Sequence, residues 1–174
     1  TEQGQRQASL VADEIAKISP DILISSPMAR AKQTAESIAK KTGLTIVEDE
    51  IWTEMDFGYW DGLSFDEVRD QFPQELQGWL NSAAYQPGGG ESYEEAMVRV
   101  EEALEKLVQK YPEKKVCVVS HNGVIKLAAL LAIGGDVDSV FHLDAAPCSI
   151  TSISIWPQDG LRALRSINES GHLR

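Results

Sequence analysis

The sequence predicts an α/β fold, a three-layer sandwich in which helices flank a mostly parallel central sheet. Short apolar runs of strand length recur along the 174 residues, and stretches with helical spacing separate them. Such alternation is typical of parallel sheets joined by right-handed crossovers. The chain is 43% apolar and 25% charged, which suits one globular domain with a single substantial core. We therefore expect residues 1–174 to form one domain.

The N-terminal region predicts a helix followed by a strand, a second helix and a second strand. Thr1 suits an N-cap, and the apolar residues of the first helix share one face. These are Leu10, Val11, Ile15 and Ile18. Strands are predicted at 21–26 and 44–47. Between them, Pro27 suits the first turn of a helix that ends near Gly43.

Residues 51–90 interrupt this alternation. Short helical pieces at 64–72 and 74–84 are separated by Pro73, and a Pro-Gly-Gly-Gly loop follows. We interpret 51–90 as a helical lid inserted over the sheet, within the same domain. A long helix at 92–111 then leads back to the sheet.

The C-terminal third predicts one more parallel strand and a hairpin. Residues 115–120 contain an apolar run, 116–119, that is continuous and not alternating, which indicates a strand buried on both faces, and a helix is predicted at 122–133. Two further strands, 149–156 and 161–167, flank Pro157-Gln-Asp-Gly160. That turn predicts an antiparallel pair at the end of the sheet.

Charge and composition narrow the classes of partner. A net charge of −11 argues against nucleic acid or an anionic membrane as partner. The longest apolar stretch, around 127–133, is far shorter than the roughly 20 residues that span a bilayer. A small phosphorylated ligand stays possible, because charges beyond about 8 Å are largely screened at physiological salt. Cys117 and Cys148 lie in apolar runs. They predict buried free thiols and a cytoplasmic protein, since a disulfide or metal site has no second ligand at suitable spacing.

Two predicted strand ends carry candidate functional residues. Ligands of open α/β sheets bind at the carboxyl ends of parallel strands. Arg30 lies on the first turn of the helix after the first strand, where free amides and a guanidinium together suit phosphate. The alternative is a surface arginine on an amphipathic helix. His121 directly follows the strand at 115–120, and Gly123 permits close backbone approach. This imidazole suits phosphate binding or catalysis; the alternative is a structural histidine that caps the next helix.

Glu54 is the third candidate. It lies among the aromatic residues and glycines of 52–62, where desolvation would raise a carboxyl pKa to suit a general acid. On composition alone, the favoured alternative is one exposed acid among 27. His142 and His172 have weaker contexts, and we expect both to be structural or exposed.

Several familiar chemistries lack their motifs. The sequence contains no G-x-x-x-x-G-K-[ST] loop, no H-E-x-x-H, no G-x-S-x-G and no cysteine followed six residues later by arginine. We therefore expect neither a cofactor nor a metal ion.

Taken in order, five segments resemble the histidine phosphatase (phosphoglycerate mutase-like) superfamily. They are Thr1-Glu-Gln-Gly-Gln-Arg-Gln-Ala8, Ser25-Ser-Pro-Met-Ala-Arg-Ala-Lys-Gln-Thr-Ala35, Glu54 with Phe57-Gly-Tyr-Trp-Asp-Gly62, Pro87-Gly-Gly-Gly-Glu-Ser92 and Val118-Val-Ser-His-Asn-Gly123. The tail at 142–173 resembles the α-ribazole phosphatase-like domain that is fused behind a ribonuclease H domain in actinobacterial proteins. That likeness implies an upstream fused domain as a possible partner, and a homodimer is also compatible with it.

The resemblance implies roles for individual residues. Arg30 would clamp phosphate, His121 would hydrogen-bond the transferring phosphoryl group, and Glu54 would protonate the leaving oxygen. Asn122 stands where the family more usually has glycine, so we expect it to contact phosphate differently. The nucleophile should be the histidine of an Arg-His-Gly motif at the end of the first, central strand. We expect that strand upstream of Thr1 and expect the chain without it to be inactive.

These observations predict a metal-independent phosphomonoester hydrolase that acts through a phosphohistidine on a small metabolite, with α-ribazole phosphate as one candidate. Two alternatives remain: phosphoryl transfer of the phosphoglycerate mutase type and a non-catalytic module that binds a phosphate ligand or a partner. The short lid favours hydrolysis over mutase chemistry, because a mutase must exclude water.

Overall fold

Helices and short strands alternate along residues 1–174, all of which the computed structural model describes. The helices are α1 (Glu2–Ile18), α2 (Ala29–Thr42), α3 (Phe65–Gln71), α4 (Pro73–Asn81), α5 (Tyr93–Lys110) and α6 (Asn122–Ile133). The strands are β1 (Ile22–Ser25), β2 (Ile46–Glu48), β3 (Val116–Val119), β4 (Ile150–Ile155) and β5 (Arg162–Glu169). None of the helices combines the length and apolarity needed to cross a lipid bilayer.

Capping residues set the helix boundaries. The Thr1 hydroxyl accepts a hydrogen bond from the Gly4 N–H at 3.2 Å, and Gly43 ends α2 in the left-handed conformation. Both features agree with the prediction. Pro27 does not occupy the first turn of α2, because Met28 is the extended N-cap residue and the helix begins at Ala29.

Strand β1 lies at the centre of a three-stranded parallel sheet, between β2 and β3. Its register sets Ser25 opposite Val119 of β3 and opposite Glu48 of β2. Because the strands are parallel, the segments that follow Ser25 and Val119 leave the sheet at the same edge.

Strands β4 and β5 form a separate antiparallel pair that belongs to the same layer. On one face, Val118 of β3 and Ile153 of β4 pack against one core cluster, which includes buried residues of α5 and α6. On the other face, Val119 and Ile150 pack against a second cluster, which includes residues of α1 and α2. Both pieces of sheet therefore lie between the same two helical layers. The predicted three-layer α/β architecture with a C-terminal hairpin is confirmed.

The outer edge of β3 and the outer edge of β4 have no strand partner. Residues 116–119 are accordingly half-buried along the whole strand. The expectation that this strand is buried on both faces is wrong for the chain as it stands. The physical reason is that β3 ends its sheet instead of lying inside it.

Residues 51–90 fold into short helical turns and the helices α3 and α4, which pack on the rest of the domain. The Trp79 ring stacks on Tyr93 of α5 and meets Phe141 edge-on, with ring centroids 5.7 Å and 5.3 Å apart. Two glycines pin this region further. A Cβ at Gly58 would lie 2.0 Å from the Gly88 carbonyl oxygen, and one at Gly88 would lie 2.2 Å from that of Phe57. Only glycine at both positions permits this approach.

Gly88→Ala should therefore destabilise the protein by about 3 kcal/mol, because it adds a backbone clash to the strain of a positive φ. Gly62→Ala is the matched control. Gly62 also has a positive φ but faces open space, so its cost should be only about 1 kcal/mol. Urea unfolding measures both changes, and equal losses in the two variants would contradict the close backbone contact.

Candidate active site

The common edge of β1 and β3 brings two polar segments together. The Ser26 N–H donates to the Val119 carbonyl oxygen at 2.9 Å, which extends the strand pairing by one step. Ser26 and His121 thus lie side by side, with the Ser26 hydroxyl 2.8 Å from the Nε2 atom of His121. Residues that are 95 positions apart in sequence become neighbours through one parallel register.

His121 holds the N-cap position of α6, yet its ring does not cap the helix. The alternative of a helix-capping histidine is therefore wrong. The side chain is buried, and the Nε group of Arg30 donates to its Nδ1 atom at 3.1 Å. Because a guanidinium group only donates, Nδ1 is the acceptor and the neutral ring carries its proton on Nε2. That proton is donated to the Ser26 hydroxyl.

The pKa of His121 is lowered from 6.5 to about 4. Burial is the largest cause, and the positive charges of Arg30 and Arg99 add to it. The imidazole is therefore uncharged at neutral pH, with one nitrogen that accepts and one that donates.

Arg30 is the second residue of α2, on the first turn as predicted. It is exposed, but it is more than a surface arginine because its Nε bonds His121. The N–H groups of Ala29 and Arg30 make no hydrogen bond within the chain, as expected at a helix start. Two amides and the rest of the guanidinium are thus available to an anion.

Glu54 reaches the same edge from outside the sheet. Its Oε1 atom accepts from the Met55 N–H at 3.1 Å, and the backbone N–H of Gly123 at the start of α6 helps to lower the pKa of this carboxyl. A Cβ at Gly123 would lie 2.8 Å from Oε1, so a side chain there would displace the acid. Glu54 is half-buried. The alternative of an exposed surface acid is therefore wrong.

The pKa of Glu54 is raised from 4.5, chiefly by burial. The Met55 and Gly123 N–H groups and the charges of Arg30 and Arg99 oppose this rise. A carboxyl that holds its proton to a higher pH than usual is suited to general acid catalysis.

The side chain of Asn122 is exposed and turned toward the C-terminal segment, where its amide donates to the Ala145 carbonyl oxygen at 2.9 Å. Its backbone N–H opens α6 and makes no hydrogen bond within the chain. The assignment of Asn122 to phosphate binding stays a prediction, and it now depends on that backbone group.

Positive charge collects around this edge although the whole chain is acidic. Arg30 and Arg99 act on both His121 and Glu54, and Lys126 is a buried cation of α6 within the field of Glu54. Burial lowers the pKa of Lys126, whereas Asp144 and Glu54 act in the opposite direction. An open cleft of about 530 Å³ lies beside Glu54 and Arg99.

Sequence reasoning missed Ser26, Ser120 and Arg99. The Ser120 hydroxyl donates to the Trp52 carbonyl oxygen at 2.7 Å, which fastens the segment before Glu54 to the end of β3. Arg99 lies within an amphipathic helix, where its spacing is that of any surface arginine. No local signal in the sequence distinguishes it.

His142 is exposed, as expected. The Nε2 atom of His172 lies 2.9 Å from the Cys148 carbonyl oxygen, which agrees with a structural role. Both cysteines are free, and they are half-buried instead of fully buried. No group of three or more His, Cys, Asp or Glu side chains is arranged to hold a metal ion.

The chain is similar to known phosphatases in sequence. The profile of the histidine phosphatase superfamily (branch 1) matches residues 1–169. Bifunctional protein Rv2228c of Mycobacterium tuberculosis is 34% identical over 175 residues, which cover 99% of this chain and 47% of that protein. Phosphoserine phosphatase 1 of Hydrogenobacter thermophilus is 28% identical over 177 residues, covering 99% of this chain and 82% of that protein. The chain spans about half the length of the mycobacterial relative.

Solved structures show the same architecture. Mycobacterial glucosyl-3-phosphoglycerate phosphatase Rv2419c superposes with a TM-score of 0.89 at 26% identity, covering 98% of this chain and 88% of that one. The α-ribazole phosphatase from Shigella flexneri gives a TM-score of 0.83 at 24% identity, covering 97% and 83%. The similarity to the Shigella protein shows a shared fold only.

The pKa of His121 should be far below that of a free imidazole. We expect a pKa of about 4 for His121 from nuclear magnetic resonance of the ring. Arg30→Met should raise that pKa, because it removes a positive charge, whereas Arg69→Met on α3 should not. Since the folded state binds this proton less readily than the unfolded state, His121 should lower the free energy of unfolding as pH falls from 6.5 to about 4. Titration of His121 near 6.5 would contradict the described burial.

Proposed function

The chain belongs to the histidine phosphatase superfamily (branch 1), and from that premise we propose that its protein is a metal-independent phosphomonoesterase that works through a phosphohistidine intermediate. One observation carries the proposal. At one edge of the parallel sheet, Arg30 donates to His121, and Glu54 packs against Gly123, two residues beyond His121. A clamp for phosphate and a proton donor at one site are what hydrolysis of a phosphate ester requires.

The nucleophile is proposed to be a histidine that precedes Thr1. The unpaired edges of β3 and β4 support this, because both strands contribute to the same two core clusters. A strand that paired with both edges, parallel to β3, would end beside His121. A histidine at its end would then face the phosphoryl group held by Arg30 and the amides of α2.

In the first proposed step, this histidine attacks phosphorus through one ring nitrogen and the bond from phosphorus to the ester oxygen breaks. Glu54 gives its proton to the departing oxygen, so an alcohol leaves instead of an alkoxide. Arg30 balances the charge on the phosphoryl oxygens, and the neutral imidazole of His121 donates a hydrogen bond to one of them. The raised pKa of Glu54 supports this role, since a protonated carboxyl is needed at the start of the cycle.

In the second step, water attacks the phosphohistidine and the bond between phosphorus and nitrogen breaks. Glu54, now ionised, accepts a proton from the water, which restores the acid and releases inorganic phosphate. No metal ion or cofactor enters either step.

The proposed substrate is a small phosphorylated metabolite. Its alcohol would lie on the Glu54 side of the site, where the open cleft begins. The α-ribazole phosphate candidate rests on the tail at 142–173 and on the fold of the Shigella protein. Steady-state kinetics on a panel of phosphomonoesters, with α-ribazole phosphate, phosphoserine and glucosyl-3-phosphoglycerate among them, would rank these candidates.

Turnover should depend on His121 and not on metal ions. In the protein that includes its natural residues ahead of Thr1, p-nitrophenyl phosphate should be hydrolysed at the same rate with and without EDTA. His121→Ala should lower kcat/KM at least about 100-fold, because the transferring group loses a positioned hydrogen bond. His142→Ala is the control for an exposed histidine and should retain activity. Unchanged turnover in His121→Ala would refute the assignment.

The intermediate should be visible directly. Rapid quenching of that protein with a labelled phosphomonoester should trap label that is stable to base and labile to acid, as expected of a phosphohistidine. Peptide mapping should place it upstream of Thr1. Lack of label together with lack of an Arg-His-Gly motif would favour a non-catalytic phosphate-binding module. Transfer of the label to a second metabolite instead of water would favour mutase chemistry.

A further inference from the structure

Arg99 of α5 holds the backbone on the N-terminal side of Glu54. Its Nη1 atom donates to the carbonyl oxygens of Ile51 and Thr53, at 2.7 Å and 3.0 Å. Thr53 directly precedes Glu54, so the peptide that leads into the acid is fixed from the side of α5.

The rest of the guanidinium binds Glu91 in a two-pronged contact. Nε and Nη2 donate to the two carboxylate oxygens of Glu91, at 2.9 Å and 2.8 Å. The backbone N–H of Glu91 in turn donates to the Asp56 carbonyl oxygen at 2.7 Å. Asp56 lies two residues beyond Glu54. Arg99 and Glu91 thus hydrogen-bond to the backbone on both sides of Glu54.

This contact differs from the other ion pairs of the protein. The Arg99 and Glu91 side chains are 24% and 20% exposed, whereas those of Arg69 and Asp66 on α3 are 56% and 75% exposed. Exposed pairs contribute little, because water screens them. A paired, partly buried guanidinium that also serves two carbonyl groups is expensive to remove, since its partners lose their donors.

We infer that Arg99 is a positioning residue for proton transfer by Glu54, an inference that rests on the proposed function. A general acid must lie within hydrogen-bond reach of the leaving oxygen. Displacement of a catalytic group by about 1 Å costs on the order of 100-fold in rate. The Nε, Nη1 and Nη2 atoms of Arg99 all donate to Glu91 or to the Ile51 and Thr53 carbonyl groups. Arg99 fixes the peptide segment from which the carboxyl projects.

The test compares two leaving groups. The anion of a strongly acidic phenol is stable enough to leave without a proton from a general acid, whereas the anion of an alkyl alcohol is not. Arg99→Met, made in the protein that includes its residues ahead of Thr1, should lower kcat/KM about 100-fold for an alkyl phosphate, because kcat/KM reports the first step, in which Glu54 acts as the acid. The same variant should lower kcat/KM less than about 10-fold for an aryl phosphate with a strongly acidic phenol, such as 2,4-dinitrophenyl phosphate. Arg69→Met, which breaks an exposed pair on α3, should alter neither rate. A purely structural defect would reduce both substrates alike, and that result would overturn the inference.

A second measurement does not depend on turnover. Arg99→Lys keeps the positive charge but not the fork of donors, so it should loosen the segment and expose the Glu54 carboxyl. Because burial is the largest cause of the raised pKa of Glu54, carbon-detected titration of this carboxyl should show a lower pKa in Arg99→Lys. An unchanged Glu54 pKa in Arg99→Lys would also overturn the inference.

Glu91→Gln provides a second test in case Arg99→Met does not fold. It keeps the shape of the side chain and weakens only the charged contact, so it should reproduce the leaving-group effect in milder form. Glu54→Gln separates this inference from the proposed function. If Glu54→Gln discriminates between the two substrates and Arg99→Met does not, only the role of Arg99 fails. If Glu54→Gln does not discriminate either, the assignment of Glu54 as the acid fails first.

Discussion

The parallel pairing of β1 with β3 is the constraint on which the site depends. It sets Ser25 opposite Val119, so the chain leaves both strands at one edge and two helices begin there. Arg30 and His121 meet because their helices start side by side. A shift of one residue in this register would turn Ser26 away from the imidazole, since side chains alternate between the faces of a strand. Core packing on both faces of the sheet protects the register, and through it the contact between Arg30 and His121.

Different contacts hold Glu54 in place. Glu54 lies outside the sheet, and no strand register determines its position. Close contacts between glycines, the Ser120 hydroxyl and the Arg99 guanidinium fix its backbone instead. The burial that results from this packing raises the pKa of the carboxyl, while nearby cations limit the rise. Packing therefore sets both the position and the pKa of this carboxyl: loosening the segment would expose Glu54 and displace it at the same time.

Much of the fold was predictable from sequence because it depends on local signals. Apolar spacing and caps located α1, α5 and α6 to within a residue or two, and the Pro-Gln-Asp-Gly turn located the hairpin of β4 and β5. The start of α2 was placed too early, because Pro27 suits a position before the N-cap as well as one after it. Burial of β3 was overestimated for a related reason. A continuous apolar run shows that a strand belongs inside a sheet, but not which neighbours it has.

By itself, the sequence determined the fold class, the family resemblance and the identity of Arg30, His121 and Glu54 as candidates, since strand ends and short motifs are local features. Only the tertiary structure decided which of these side chains come together. That depends on contacts between distant segments: the Arg30 donor on His121, the packing of Glu54 against Gly123 and the Arg99 fork on the carbonyl groups before it. The role of Arg99 could not be predicted from the sequence, because its position on an amphipathic helix does not indicate which groups it contacts in the folded protein.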